Sequence, residues 1–411
     1  MNLSVLKSGL IALGSMLMIL THACSQEETV PPSSWQLHVL GGDNNIAKDV
    51  VQLPDSQGYI VTGQYFVHTD SLTWSSAVAH ISANGELLNS RSTGHDGFNK
   101  KTRKFVDKSR LQYVTQLKDG RLILYGYRDS FLRVQEIDKS LNVLFDTVYN
   151  SILHHSLHPD KLIETARGLS YFNTAHDTFR QITISNDLKH VTFNLFPTIQ
   201  DLQLHNSGVW LVQEDTFRNE VLIFTYGCLR SSMRSYKIAN YDYRIKGDSV
   251  DHYFSACDTF GRYLIRFDMN HQQVKKVLSF PFGYLVNQIK PVQSGYEMVG
   301  DLDLFDEQKH HSDLLYFHMD TEGILSKERT WKVKKHTHGK GIVERMGNQV
   351  IIGDALDSMG FSLFELVANS ESSTDVSMLP GESYNKVIPT RDGGYIAVGK
   401  SSRSSWWINK N

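Results

Sequence analysis

The chain has 411 residues, enough for two or three ordinary domains or one large β architecture. Its 42 basic and 44 acidic residues leave a formal charge of −2, which supplies neither a basic field for nucleic acid nor an acidic tail. A hydrophobic content of 40%, with 9 prolines and 3 cysteines, excludes global disorder, a collagen-like chain and a disulfide scaffold.

The first element is a leader. Lys7 precedes an apolar run, Gly9 to Leu20 (GLIALGSMLMIL), which has the length of a signal-peptide core and is short for a bilayer span. Leu20-Thr21-His22-Ala23-Cys24 follows. A small residue directly before a cysteine, just past an apolar run, resembles the lipobox of bacterial lipoproteins. Thr21 stands where that family usually has Leu. The resemblance implies a signal peptide over 1–23 and a lipidated Cys24, its sulfur carrying diacylglycerol and its new amino terminus acylated. The plainer alternative is an ordinary signal peptide cut near Ala23. Residues 24–34 then comprise the lipidated cysteine and a polar tether, Ser25 to Ser34 (SQEETVPPSS). Within it, Gln26-Glu27-Glu28 resembles the acidic surface-export signal of Bacteroidota lipoproteins. The expected location is the cell envelope, anchored by lipid to the outer membrane on its periplasmic face or at the cell surface.

From Trp35 onward the chain reads as β. Trp35 to Leu40 (WQLHVL) is a lone strand. Ala47 to Gly63 then reads as strand, turn and second strand ending in glycine. The pattern returns at Leu111 to Gly126, Val286 to Gly300, Gly341 to Gly353 and Tyr384 to Gly399. Asp119-Gly120 and Asp392-Gly393 supply the positive φ of tight hairpins, and each closing glycine would remove a side chain where strands crowd. Three degenerate copies are placed at Lys161 to Thr174, Ile199 to Glu214 and Tyr241 to Asp258. From Gly63 to Gly399 is 336 residues over seven intervals, a mean of 48. That period matches the roughly 40–50 residues of propeller blades.

Two further strand-like runs follow the clear hairpins: Ala77 to Ile81 and Leu87 to Ser92, Phe131 to Ile137 and Val143 to Tyr149, Leu314 to Met319 and Ile324 to Trp331. The last copy reaches only a third strand, Trp406 to Lys410, which leaves the lone amino-terminal strand to complete it. The expected fold is all-β. It is a single β-propeller over 35–411 with about eight four-stranded blades, seven as the alternative, closed by the N-terminal strand. An open solenoid or two β-sandwiches are the competing arrangements. The run Asp-Gly-Gly-Tyr-Ile-Ala-Val-Gly (392–399) also resembles a motif of secreted Bacteroidota β-propellers. That resemblance implies fold and compartment, and carries no catalytic residue with it.

Chemistry is less legible. His154, His155 and His158, and His336 with His338, are the histidine groups that suggest a metal, but solvated loops explain them more simply. Asp301, Asp303, Asp306 and Glu307, with His310 and His311, suggest calcium but lack an EF-hand spacing. No metal or other cofactor and no catalytic residue is assigned. Cys228 and Cys257 fall in neighbouring copies; two free thiols are the default, and a disulfide the alternative in an oxidising envelope. Tyr59, Tyr125, Tyr296 and Tyr395 are read as blade core; of the adjacent Trp406 and Trp407 one points outward, where packing beneath the closing strand is the simpler reading and stacking on a sugar or a partner the alternative. The expected function is a monomeric binding or scaffold module with a protein or glycan ligand and no nucleic acid. A propeller-type glycan hydrolase or lyase is the alternative.

Overall fold

The computed structural model describes residues 35–410, except 40–44, 55–56, 69–71, 100–103, 107–108, 130, 154–161, 176–177, 197–204, 229–232, 238–252, 258–259, 272, 282, 307–308, 332–335, 346–347, 358–359, 368–372, 375–382 and 401–405. Alternating apolar and polar residues, cut by glycine turns, produce short strands throughout. The first is β1 (Trp35–Val39). Sheet I contains β2 (Ile46–Gln52), β3 (Tyr59–His68), β4 (Leu72–Ile81), β5 (Leu87–Asn99) and β6 (Lys104–Val106). Sheet II contains β7 (Ser109–Gln116), β8 (Leu122–Arg128), β9 (Phe131–Ile137) and β10 (Val143–Leu153). Sheet III contains β11 (Ile163–Thr165), β12 (Gly168–Ala175), β13 (Thr178–Ile184) and β14 (Val191–Phe196). Sheet IV contains β15 (His205–Asp215), β16 (Glu220–Cys228), β19 (Phe260–Asp268) and β20 (Gln273–Phe280); β17 (Met233–Lys237) and β18 (Tyr253–Cys257) pair separately.

Sheet V joins two antiparallel meanders. One is β21 (Tyr284–Val292), β22 (Gly295–Asp306), β23 (Lys309–Asp320) and β24 (Leu325–Trp331). The other is β25 (His336–Arg345), β26 (Asn348–Asp357), β27 (Gly360–Val367) and β28 (Ser373–Thr374). A single parallel bridge, Ser312 to His336, connects them. Sheet VI contains β29 (Ser383–Pro389), β30 (Tyr395–Lys400) and β31 (Trp406–Lys410), with β1 lying antiparallel on β31.

The count is therefore six sheets of four or more strands, not eight or seven separate four-stranded blades. Two causes separate expectation from structure. The copy placed at Tyr241 to Asp258 is not a repeat hairpin: β18 pairs with β17, in an excursion inserted between the second and third strands of sheet IV. The bridge at Ser312 merges two meanders into sheet V. The copy placed at Ile199 to Glu214 was also out of frame, because β15 pairs with β16 rather than folding on itself.

Buried apolar residues of the described chain gather in seven clusters, each lying between meanders rather than inside one. Leu53 and Ile60 of sheet I meet Leu111 and Leu124 of sheet II. Tyr125 and Leu132 meet Leu169 and Ile182 of sheet III. Phe172 meets Ile223 and Phe267 of sheet IV, and Phe224 meets Tyr296 and Phe317 of sheet V. Val299 and Leu314 meet Ile342 and Ile351, the two halves of sheet V. Val343 and Ile352 meet Tyr384 and Tyr395 of sheet VI, and Ile396 and Val398 meet Val61 and Ala79 of sheet I. Face-to-face packing of successive antiparallel sheets is β-propeller architecture. Tyr59, Tyr125, Tyr296 and Tyr395 are among the largest fully buried side chains, as read from their place in the hairpins.

One local device recurs. The first strand has a register shift at Ala47/Asp49, Leu111/Tyr113, Val286/Gln288, Gly339/Gly341 and Tyr384/Lys386. Directly opposite stand Gly63, Gly126, Gly300, Gly353 and Gly399. The bulge pushes backbone over the glycine. A Cβ on Gly300 would lie 1.7 Å from the Leu285 carbonyl oxygen, whereas one on Gly120 would meet nothing within 4 Å. Gly300→Ala is therefore expected to cost about 3 kcal/mol by forcing the backbone apart. Gly120→Ala is expected to cost only the ~1 kcal/mol of its positive φ. Chemical denaturation of the two variants checks the ranking.

Candidate functional site: the axial channel

The first strands of sheets I, II, III, IV and VI converge on one cavity. Val51 of β2, Gln116 of β7, Glu164 of β11, Glu214 of β15 and Lys386 of β29 border one cavity of about 250 Å³. Glu164 Oε2 accepts the Lys118 backbone N–H at 2.6 Å, and Lys118 Nζ lies 3.2 Å from Glu214 Oε1. These groups ring the mouth. Deeper in, Lys386 Nζ contacts Asp49. Asp49 also accepts the Val50 N–H at 2.9 Å and the Val114 N–H at 3.1 Å, which aims its carboxylate from sheet I toward sheet II. Burial pushes the Lys386 ammonium down to about 8. The Asp49 carboxylate in contact favours the charged form, so the two groups are held as an ion pair.

A second polar cluster spans sheets V and VI. Asp301 Oδ1 accepts the Gly339 N–H at 3.0 Å and Asn287 Nδ2 at 3.2 Å, and its Oδ2 lies 3.1 Å from His338 Nδ1. Asp354 accepts the Tyr384 N–H at 3.1 Å, with Lys340 Nζ 3.6 Å away. These carboxylates span the gaps between first strands, as Asp49 does between sheets I and II. Burial raises the Asp354 carboxyl above the ordinary range, against the pull of Lys340. The hydrogen bond to Asp301 raises His338 above its ordinary value of 6.5, outweighing its burial. A raised histidine stabilises the fold fully below its unfolded value and loses that contribution as pH rises through the folded one. Hydrogen exchange at Gly339, corrected for intrinsic rate, is expected to speed up a few-fold as pH climbs from 6.5 upward. His338→Gln should flatten that dependence.

The other candidates are dispersed. His154, His155, His158 and Glu307 lie outside the described residues. His336, His310, His311, Asp303 and Asp306 have described backbone in β25, β23 and β22, but their side chains lie outside the description. The same holds for Trp406 and Trp407 in β31. Cys228 ends β16 and Cys257 ends β18, strands of different sheets; Cys24 lies outside the described residues. Among the described residues no group of three or more His, Cys, Asp or Glu side chains is arranged to hold a metal ion. The channel residues Asp49 and Lys386 escaped sequence reasoning, although a signal existed. Each is the residue just past the bulge of its copy, so aligning first strands superposes them.

The two ends of the sheets differ. At one end every connection has six residues or fewer, from Leu53–Gly58 round to Thr390–Gly394. The other end has the long ones: 154–162, 197–204, 375–382 and 229–259, the last containing β17 and β18. Trp35 pairs with Lys410, which also pairs with Ile396 beside the Thr390–Gly394 turn, so β1 starts at the tight-turn end.

No family model matches the chain, and no curated protein matches it. Among solved structures, Kuenenia stuttgartiensis hydrazine synthase is similar over 87% of this chain and 94% of that one, at 8% identity and TM-score 0.49. The Dos1 propeller is similar over 94% and 96%, at 9% identity and TM-score 0.42. Drosophila Plexin A, in complex with Semaphorin 1b, is similar over 90% and 88%, at 10% identity and TM-score 0.43. The assignment as an all-β propeller rests on the strand order and packing described above.

Proposed function

We propose that the protein is a lipid-anchored binding propeller of the bacterial cell envelope, attached through Cys24 and presenting its long-loop end to a protein or glycan ligand. In this reading β1, by pairing with β31, fastens the first and last sheets into one ring. The observation that carries the binding role is the segregation of connections. Every long connection leaves one end, and the largest brings its own two-stranded sheet there. Loops on a rigid scaffold are where recognition residues concentrate. The anchor is supported by the lipobox-like Leu20 to Cys24 and the polar tether after it.

Replacing 229–259 by a short turn should leave the melting midpoint nearly unchanged and abolish capture on a panel of immobilised glycans and envelope proteins. Capture that survives the excision, or turnover of a captured glycan, would overturn the binding role. Cys24→Ala should move the protein from the detergent phase to the aqueous phase. Partition unchanged from wild type would remove the anchor.

A further inference from the structure

We propose that the tight-turn end of the propeller is a docking face for the lipid surface in which Cys24 is anchored, so that the domain rests on the bilayer with its long loops outward. The proposal builds on the anchored reading above. It starts from where exposed apolar side chains lie. Leu88 and Leu144 follow the turns that open β5 and β10, with Leu87 and Val143 beside them. Phe193 is on the same half of β14, and Phe217 and Ile324 are in the turns themselves. Leu144 is 61% exposed, Phe217 63% and Ile324 66%. Single exposed apolar residues are normal when scattered. Here the exposed large hydrophobics of the described chain fall at one end, on four successive sheets and the first half of the next.

Hydrogen bonds tie neighbouring turns of this face to one another. Asn89 Nδ2 donates to the Ser140 carbonyl at 2.8 Å, and Arg121 Nη1 to the Asn186 carbonyl at 2.8 Å, linking sheets I, II and III. Arg218 Nη2 donates to the Val292 and Gln293 carbonyls at 3.0 and 2.9 Å, linking sheets IV and V. The Arg391 N–H donates to Gln52 Oε1 at 2.9 Å, linking sheets VI and I. Three acids of this face are engaged within their own turns. Asp138 accepts the Asn142 N–H at 2.8 Å, Asp187 the Lys189 N–H at 3.1 Å and Asp320 the Ile324 N–H at 2.8 Å. With these carboxylates turned into their own loops and Lys139, Lys189 and Lys327 among them, the face has no excess of one sign. It therefore suits interfacial insertion of apolar side chains rather than attraction to anionic lipid.

The tether decides the occupant. β1 begins at this same end, and the ten residues Ser25 to Ser34 reach at most ~35 Å even fully extended. A lipidated Cys24 thus joins the domain at this face, which is the one the tether brings to the bilayer by the shortest path. Tethering at so short a range raises the effective concentration of lipid at the face, so weak individual insertions suffice.

The test uses the full lipidated protein on phosphatidylcholine vesicles, with a bromine-labelled phosphatidylcholine as quencher and flotation as the measure of anchoring. Leu144→Trp places a reporter at the tight-turn end of β10, and Asn150→Trp places one on the exposed far part of the same strand. The emission added by Leu144→Trp is expected to fall by half or more on brominated vesicles, and that added by Asn150→Trp to remain. Adding Leu88→Ser, Phe217→Ser and Ile324→Ser to the Leu144→Trp protein should restore its emission. Intact flotation with neither reporter quenched would overturn the docking while leaving the anchor in place. Crosslinked dimers protecting Leu144→Trp from the brominated lipid would assign the face to a second copy and overturn it equally. Absence of flotation would remove the anchor, and the docking with it.

Discussion

Deleting Trp35–Val39 is expected to produce a large loss of stability for a change of only five residues. The strand contributes five paired positions, from Trp35 opposite Lys410 to Val39 opposite Trp406. Its removal leaves β31 as an edge with unpaired backbone groups. At roughly 1 kcal/mol per ladder hydrogen bond, the pairing alone is worth about 5 kcal/mol, against a net domain stability of about 5–15 kcal/mol. Packing raises the stake. Sheets VI and I share a core of Ile396, Val398, Val61 and Ala79, and a frayed sheet VI would open it. A ring fastened by β1 should melt as one unit, while an opened array loses cooperativity from its ends. The deletion should lower and broaden the thermal transition and promote aggregation through the freed edge. Removing five residues from Ser25 to Ser34 should leave the transition in place. Equal melting of the two deletions would show that β1 does not hold the ring together.

The architecture was legible wherever turn chemistry and alternation coincide. Phe131 to Ile137 and Trp406 to Lys410 are strands with the bounds their residues suggest. The five closing glycines each stand opposite a bulge, a packing role that their place at the end of a β-branched run already hinted at. The expected repeat broke down between Gly126 and Gly300 for a physical reason. A 48-residue mean assumes that every copy has the same length, and the excursion at 229–259 inserts a self-paired sheet inside sheet IV. Alternation alone cannot tell a strand of an insertion from a strand of a blade, because both bury one face. The channel was less legible still. Glu164 and Glu214 are unremarkable acids until β11 and β15 place them around one cavity with Lys118 between them. The exposed apolar residues of the tight-turn end were invisible in sequence, since exposed Leu144 and buried Leu132 differ only in their position within the meander.

Arg266→Ala is expected to cost about 3–5 kcal/mol, the usual result of stranding one member of a buried ion pair. Glu220 at the start of β16 and Arg266 in β19 are 1% and 6% exposed at their side chains. The guanidinium grips the carboxylate through both forks, Nε to Oε2 at 2.7 Å and Nη2 to Oε1 at 3.0 Å. Its remaining Nη1 donates to the Thr321 carbonyl at 2.5 Å, carrying the link into sheet V. The Tyr296 ring, fully buried in that sheet, has Arg266 at 5.9 Å and Arg218 at 5.1 Å from its centroid. Burial works to raise the Glu220 carboxyl, but the Arg266 and Lys275 hydrogen bonds outweigh it and hold the group below the ordinary range. A depressed carboxyl contributes stability above its unfolded value that is lost as pH falls through the folded one. The wild-type protein should therefore lose part of the gap over Arg266→Ala on acidification below about pH 4.5. Lys275, itself half exposed, can shield only one oxygen of the stranded carboxylate. Replacing both partners, as Glu220→Leu with Arg266→Met, should recover much of the loss, because two apolar side chains leave no uncompensated charge. Urea titrations of the three proteins at pH 7 and pH 4 decide the matter. A single variant no less stable than the double variant would mean that the pair is not the buried joint between sheets IV and V.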